Sequence, residues 1–156
     1  MKHAIIMLLS CLVYSCTSNN KDLLNTHLNK KIDQWHKDAA IANFDRYFEF
    51  IAEDGVFIGT DISERWTKIE FEEFSKPYFD NGKAWSFVPK ERTIRFNEAK
   101  DIAWFDETLT TWMGACRSTG VVALAEKEWF IKHYQLSVTI DNEKMEGFLK
   151  LTQEKE

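Results

Sequence analysis

The first half of the chain places apolar residues at helical spacing. Between Leu28 and Ala52 they recur every three or four positions and form one broad stripe. Asn43 has the side chain of a helix N-cap, so the pattern predicts a long helix followed by a short second one. The pair Asp54–Gly55 is expected to end this segment, because glycine accepts the left-handed conformation of a C-cap.

A further helix is predicted after a short strand, VFIGT, at residues 56–60. Thr67 and Glu70 have the spacing of a capping box, which predicts a helix over residues 67–79. Pro77 is expected to disrupt its last turn, and the DNG sequence that follows is expected to end it. The residues expected on its buried side are Ile69, Phe71, Phe74 and Tyr78.

The second half of the chain has the period of two that is typical of strands. Four segments rich in β-branched and aromatic residues predict strands at 84–96, 102–112, 119–124 and 129–140. The short links between them favour antiparallel neighbours over parallel strands joined by crossovers. Helices followed by an antiparallel sheet make the fold class α+β. Residues 142–156 are expected to form a charged tail that frays.

The N-terminal sequence MKHAIIMLLSCLVYSC predicts export. A basic start precedes an apolar run from Ala4 to Tyr14, which is too short to span a bilayer but has the length of a signal-peptide core. The residues LVYSC resemble a bacterial lipobox, which predicts a signal peptide over residues 1–15 and lipid attachment at Cys16. Residues 16–28 then form a polar tether. We therefore expect an exported protein of the cell envelope that contacts the membrane only through a lipid anchor.

Composition excludes several classes of function. The 156 residues suffice for one domain. The net charge of −5 argues against a nucleic-acid partner, because phosphate binding needs a clustered positive surface. The histidines are scattered without metal-ligand spacing, and no phosphate-binding loop or nucleophile elbow is present, so neither a metal nor a cofactor is predicted. With Cys11 in the signal peptide and Cys16 lipidated, Cys116 has no partner for an internal disulfide.

The stretch MGACRSTGVV, residues 113–122, combines a cysteine, an arginine, two hydroxyl side chains and two glycines. Cys116 and Arg117 are adjacent, so their side chains diverge and do not converge on one anion. The stretch also precedes a strand, which removes the helix dipole that would bind an anion. It is expected to connect two long strands, with Gly114 and Gly120 permitting the bends.

Four segments of the sequence resemble those of the SnoaL-like branch of the nuclear transport factor 2-like superfamily. They are WHKDAAIANFDRYFEFIAEDGVFIGTD, ERWTKIEFEEF, AWFDETL and WFIKHYQLSVT, and the resemblance covers residues 29–141. It implies a cone, in which helices pack into the concave side of a strongly curved antiparallel sheet and leave a pocket open at one end. It also implies pairing of two copies through their sheets. Members include isomerases, dehydratases and cyclases, and also proteins that only bind small molecules.

Strand alternation places candidate chemistry in such a pocket. Lys132 prefers water, so the alternate residues of the last strand, including His133 and Gln135, are assigned to the concave side. His133 there is either a proton shuttle or a hydrogen-bonded interior histidine. Asp106 and Glu107 are adjacent, so only one of them can enter the pocket.

The carboxylate that enters an apolar cone would have a raised pKa and act as a general base. The alternative is an ion pair with Arg117 or Arg95 across the sheet. Arg117 is expected either in such a pair or at the pocket mouth. The residues expected to bind a ligand are Tyr47, Trp66, Trp85, Trp104, Arg117 and Gln135.

Three hypotheses for function follow. The first is an exported, lipid-anchored domain that binds an unidentified small molecule in an aromatic pocket. The second is a proton-transfer enzyme of isomerase or dehydratase type, acting on a hydrophobic small molecule through His133 and either Asp106 or Glu107. The third is a homodimeric interaction module of the cell envelope.

Overall fold

A computed structural model describes residues 22–153. The predicted signal peptide and the lipidation site at Cys16 lie outside these residues. Helix α1 covers residues 22–40, including part of the predicted tether, and α2 covers Phe44–Glu49. Helix α3 covers Lys68–Asp80, a 3₁₀ turn covers Asn142–Lys144, and α4 covers Met145–Gln153.

Both predicted N-caps are present. The Asn43 side chain accepts a hydrogen bond from the Arg46 N–H at 3.4 Å, which separates α2 from α1. Thr67 and Glu70 form the reciprocal capping box at the start of α3. These local signals fix where two of the helices begin.

The strands form one curved six-stranded sheet. They are β1 (Ile51–Ile58), β2 (Arg65–Thr67), β3 (Val88–Phe96), β4 (Ile102–Thr111), β5 (Gly114–Ala125) and β6 (Glu128–Val138). Their order is β2-β1-β6-β5-β4-β3, and neighbours are antiparallel except β1 and β6, which run parallel. The predicted α+β cone is confirmed, with α1, α2 and α3 packed against the concave face.

The core lies between those helices and the sheet. Trp35 of α1 packs edge-on against Tyr134 of β6, with ring centroids 4.8 Å apart, and stacks on Tyr47 of α2 at 4.9 Å. Phe71 of α3 stacks on Phe57 of β1 at 3.9 Å. Aromatic side chains therefore fill most of the cone.

Strand β1 begins at Ile51, where the sequence predicted helix. Gly55 is not a C-cap but a point of close approach between strands. A Cβ atom there would lie 2.7 Å from Cγ2 of Ile51 and 2.9 Å from the carbonyl oxygen of Ile131 on β6. The register between β1 and β6 shifts over the same segment, so this part of the strand is irregular.

Most of the stretch 113–122 is strand β5. The turn between β4 and β5 consists of Trp112 and Met113, and Gly114, with φ of 94°, begins the strand after it. Gly120 lies in the strand because the ring of Phe105 occupies the space above it. The expectation that this stretch is a loop between strands is corrected accordingly.

Helix α3 buries Phe71 as expected, but its other buried residues differ from those expected. Phe71, Ser75 and Phe79 are buried, whereas Ile69, Phe74 and Tyr78 are exposed. Pro77 is inside the helix, which continues to Asp80. Strand β3 begins at Val88, later than predicted.

The chain after β6 also differs from the expected fraying tail. It forms the 3₁₀ turn and helix α4, whose Phe148, Leu149 and Leu151 are exposed. Within residues 22–153, none of the helices combines the length and the apolar character needed to cross a bilayer.

Candidate functional site

A β-bulge in β6 reverses the predicted faces of that strand. Val121 of β5 pairs with His133, but Val122 pairs with Ile131, so Lys132 is an extra residue. Beyond the bulge, Tyr134 and Leu136 are buried on the concave side. The expected orientation is therefore corrected, since His133 and Gln135 lie on the outer face of the sheet.

Asp106, Arg117 and Trp104 also lie on the outer face. Nη1 of Arg117 is 3.5 Å from Oδ1 of Asp106, and both side chains are about half exposed. Trp104 is 45% exposed. His133, Trp104 and Asp106 line a shallow surface depression together, outside the cone.

Glu107 is the predicted acid that enters the cone, and its carboxylate is fully hydrogen-bonded. Nε2 of His36, on α1, lies 2.7 Å from Oε1, and the Ser118 hydroxyl donates to the same oxygen at 2.9 Å. Nε of Arg92, on β3, donates to Oε2 at 2.8 Å. Nη2 of Arg92 is 2.7 Å from that oxygen, without hydrogen-bond geometry.

Arg92 extends this network to α1. Its Nη1 atom donates to the carboxylate of Asp33 at 2.7 Å and to the carbonyl oxygen of Asn29 at 3.1 Å. The side chains of His36, Glu107 and Arg92 are all at most 6% exposed. The buried network therefore joins α1 to β3, β4 and β5.

The pKa of Glu107 differs from the raised value that the sequence predicted. Burial alone raises the pKa of this carboxyl group, but hydrogen bonding and electrostatic attraction from His36 and Arg92 outweigh burial, so the pKa is lowered. Since an ionised carboxylate only accepts hydrogen bonds, Nε2 of His36 carries a proton. Glu107 is thus a paired anion with reduced basicity.

Two buried phenols lie near this network. The hydroxyl groups of Tyr47 and Tyr134 make no hydrogen bond of good geometry within the described chain. Burial raises the pKa of both phenols well above the usual value. Both hydroxyl groups are therefore neutral donors without a fixed partner.

An aromatic cleft opens at the mouth of the cone. It has a volume of about 130 Å³, and its lining includes Leu136, Met113, Gly59, Thr60 and Glu64. Seven aromatic side chains complete it: Phe57, Trp66, Phe71, Phe74, Trp85, Phe87 and Trp112. We call this feature the aromatic cleft.

Several rings of the aromatic cleft stack on one another. Trp66 lies 4.6 Å from Phe74 and 5.5 Å from Phe71, between ring centroids. Trp85 lies 5.6 Å from Phe71 and also packs edge-on against the buried Tyr47 at 5.5 Å. The cleft therefore continues directly into the core.

The rim of the cleft is formed by two short connections. Residues 59–64 join β1 to β2, and Trp112 and Met113 form the turn between β4 and β5. The Thr60 hydroxyl contacts the sulfur of Met113 at 3.8 Å, which joins the two connections. Trp112 is 82% exposed, which is unusual for an indole in a folded domain.

Of the predicted ligand-binding residues, the structure brings Trp66 and Trp85 together in the cleft and places Tyr47 directly beneath it. Trp104, Arg117 and Gln135 lie outside the cone. Sequence reasoning missed His36, although its spacing of eight from Leu28 and four from Ile32 places it on the buried stripe of α1. It also missed Arg92, whose contact with Glu107 depends on strand pairing.

The comparison with known protein families identifies the chain. Residues 28–141 match the SnoaL-like domain. The chain belongs to the SnoaL-like domain family. A comparison with curated protein sequences gives no significant match.

Solved structures show the same fold for this SnoaL-like domain at low sequence identity. An NTF2-like protein of unknown function from Pseudomonas putida KT2440 is 13% identical with a TM-score of 0.64, and the match covers 76% of this chain and 89% of that one. An NTF2-like protein from Cytophaga hutchinsonii is 16% identical with a TM-score of 0.61, covering 74% and 98%. The association domain of CaMKII from C. elegans is 14% identical with a TM-score of 0.64, covering 76% and 98%.

Metal ligands are not clustered in the described part of this SnoaL-like domain. Across residues 22–153, no three His, Cys, Asp or Glu side chains are arranged to hold a metal ion. Cys116 is buried and not disulfide-bonded, and its sulfur lies 3.4 Å from the Thr111 hydroxyl.

Proposed function

We propose that this protein binds a small molecule in the aromatic cleft. The observation that carries the proposal is the concave surface at the mouth of the cone, which seven aromatic side chains line. Phe57 and Phe71 are buried at its base, whereas Phe74 and Trp112 are exposed. Apolar rings that remain accessible to solvent gain free energy when a ligand covers them. A concave apolar site with few polar groups is the usual form of a small-molecule pocket.

Binding is better supported than catalysis because the polar groups of the buried Glu107 network do not line the cleft. His36 lies behind Phe87, with ring centroids 6.3 Å apart, and Phe87 forms part of the cleft wall. Glu107 is paired with Arg92 and His36. His36 and Glu107, which would have to transfer the proton, instead hold α1 against the sheet.

Fluorescence of N-phenyl-1-naphthylamine, an uncharged apolar probe, tests the proposal. We expect saturable enhancement, and we expect Trp112→Ala to weaken binding about fivefold by removing one exposed ring. Trp104→Ala is the matched control, because Trp104 is also an exposed tryptophan but lies on the outer face. Equal loss in both variants, or no saturable binding by the wild type, would contradict a ligand site in the cleft.

Proton transfer is the second candidate, favoured by the buried His36–Glu107 pair and the nearby phenol of Tyr134, which has no hydrogen-bond partner among residues 22–153. It would use His36 and not His133, which lies on the outer face. Deuterium exchange at the α-carbons of cyclohexanone, followed by NMR, tests it. The hypothesis requires faster exchange with wild-type protein, loss in His36→Gln and no change in His133→Gln. No acceleration by the wild type excludes this reaction.

We also infer that two copies associate through the outer face of the sheet. Trp104 is 45% exposed there, beside the Asp106–Arg117 pair. Tryptophan is enriched at protein–protein interfaces relative to the rest of the protein surface. The CaMKII neighbour is an association domain, which is consistent with assembly by this fold.

We also propose that the protein is exported and lipid-anchored through its N-terminal sequence. The apolar run from Ala4 to Tyr14 supports a signal peptide, and LVYSC supports modification of Cys16. Such an anchor would attach the protein to a bacterial membrane of the cell envelope.

A further inference from the structure

The aromatic cleft has one charged side chain in its lining, that of Glu64. No basic side chain lines it within residues 22–153. Arg65 follows directly in sequence, but strand alternation puts it on the other face of β2 from Trp66, which lines the cleft. Among the described residues, the site therefore combines aromatic rings with one negative charge.

The Glu64 carboxylate is held in place by its own loop. Its Oε2 atom accepts a hydrogen bond from the Asp61 N–H at 3.0 Å. The side chain lies over Gly59, where a Cβ atom would collide with it. Oε1 makes no hydrogen bond within the described residues, so one carboxylate oxygen is available to a ligand.

The surrounding charge also favours a positive ligand. Asp61 is exposed in the same connection, and the whole chain carries a net charge of −5. A negative potential at a cleft attracts cations and repels anions. An anionic ligand would meet Glu64 with no compensating base in the cleft wall.

We propose that the ligand of the aromatic cleft is a small organic cation, with an alkylated or primary ammonium group. The inference rests on the proposed binding function and specifies its ligand class. Aromatic rings attract ammonium groups through their negative faces, and quaternary ammonium ions are bound in this way by aromatic cages. Glu64 neutralises the charge at the rim, while the methyl groups or alkyl chain pack against the rings.

A comparison of choline with its uncharged isostere 3,3-dimethyl-1-butanol separates the contribution of the ligand's charge to the affinity from that of its shape. Titration of the full chain, followed by NMR of the tryptophan indole N–H groups, should give about tenfold tighter binding of choline. Equal affinities overturn the inference and leave the proposed function standing. If neither compound binds while N-phenyl-1-naphthylamine does, the inference also fails, and if the naphthylamine fails too, the proposed function fails with it.

Glu64→Gln tests the role of the carboxylate with little risk to the loop. The glutamine oxygen can still accept the hydrogen bond from Asp61, so only the charge is lost. We expect choline binding about fivefold weaker, with the affinity for the uncharged alcohol unchanged. Glu91→Gln is the matched control, because Glu91 is exposed on β3 at the opposite edge of the sheet from β2.

A parallel titration with glycerophosphocholine separates two sources of the cation. This compound carries the same ammonium group next to the phosphate of a lipid headgroup. Binding of both compounds supports a cation site that also admits headgroups, and binding of choline alone supports a site for free cations. Binding of glycerophosphocholine with unchanged affinity in Glu64→Gln contradicts the assigned role of Glu64.

Discussion

Nε2 of His36 lies 2.7 Å from Oε1 of Glu107, and both side chains are buried. The contact joins α1 to the concave face of the sheet across 71 positions of sequence. Arg92 binds the other carboxylate oxygen and reaches back to Asp33 of α1. The buried polar network therefore fixes α1 against the concave face of the sheet.

The first prediction concerns the stability that this network supplies. Glu107→Gln leaves the buried Arg92 without its main counter-charge, so we expect the free energy of unfolding to fall by about 3 kcal/mol. Urea denaturation followed by circular dichroism measures the change. Glu128→Gln is the control, because Glu128 also binds a residue of α1, Lys31, but is 61% exposed.

We expect the control to change the free energy of unfolding by less than about 1 kcal/mol, as exposed ion pairs contribute little. Equal losses in the two variants would show that burial does not strengthen the Glu107 network. No loss in Glu107→Gln would refute its structural role.

The second prediction is a pH dependence that follows from the lowered pKa of Glu107. The folded protein binds a proton at this carboxyl less readily than the unfolded chain does. The stability it contributes is present above the unfolded pKa of about 4.3 and is lost as the pH falls through the lower folded value.

The free-energy difference between wild type and Glu107→Gln should therefore narrow as the pH is lowered from neutrality to below about 4.3. Urea titrations at several pH values measure it. A difference that stays constant, or that widens towards acid pH, is incompatible with an ionised and paired Glu107.

Much of the fold follows from local sequence signals. Asn43 and the Thr67–Glu70 capping box set helix starts, and the alternating segments predict most of the sheet. These signals act over a few residues, which is why the sequence alone predicts them.

The candidate site is less predictable from the sequence because it depends on strand pairing between residues far apart in the chain. The bulge at Lys132 shifts the alternation of β6 by one residue, which turns His133 outward and Tyr134 inward. A bulge in a strand that otherwise alternates has no clear sequence signature. The assignment of β6 side chains to the two faces of the sheet, which was based on Lys132, is therefore wrong for the residues after the bulge.

The contact between Arg92 and Glu107 shows a second limit of prediction from the sequence. The two residues meet because their strands pair in register, as Arg92 opposite Glu107. The sequence suggested an ion pair of Asp106 or Glu107 with Arg117 or Arg95. Arg117 does lie near Asp106, but the pairing of Glu107 with Arg92 follows only from the register. Trp112 was missed for a similar reason, since a turn of Trp and Met lacks the usual glycine or asparagine.

The third prediction concerns assembly. Light scattering during gel filtration should report a dimer, and Trp104→Asp should convert it to a monomer by placing a charge in the apolar contact. Ile62→Asp is the control, because Ile62 is fully exposed in the loop before β2. A wild-type monomer at high concentration, or a dimer of Trp104→Asp, would count against the outer-face interface.

The fourth prediction concerns the N-terminus. In bacterial cells supplied with labelled palmitate, Cys16→Ser should abolish incorporation of the label, because Cys16 is the proposed lipidation site. Cys11→Ser should retain it, since Cys11 belongs to the proposed signal peptide. Labelling of Cys16→Ser, or an unlabelled wild type, would rule out the proposed anchor.

Three of the six tryptophans can report whether a ligand occupies the aromatic cleft. Trp66, Trp85 and Trp112 line the cleft, whereas Trp104 lies on the outer face and Trp129 is buried beside Phe96. During titration with N-phenyl-1-naphthylamine, NMR should show the three indole N–H signals of the cleft shifting together. The signals of Trp104 and Trp129 should stay in place. Shifts confined to Trp104, or spread equally over all six indole signals, would show that the ligand does not occupy the aromatic cleft.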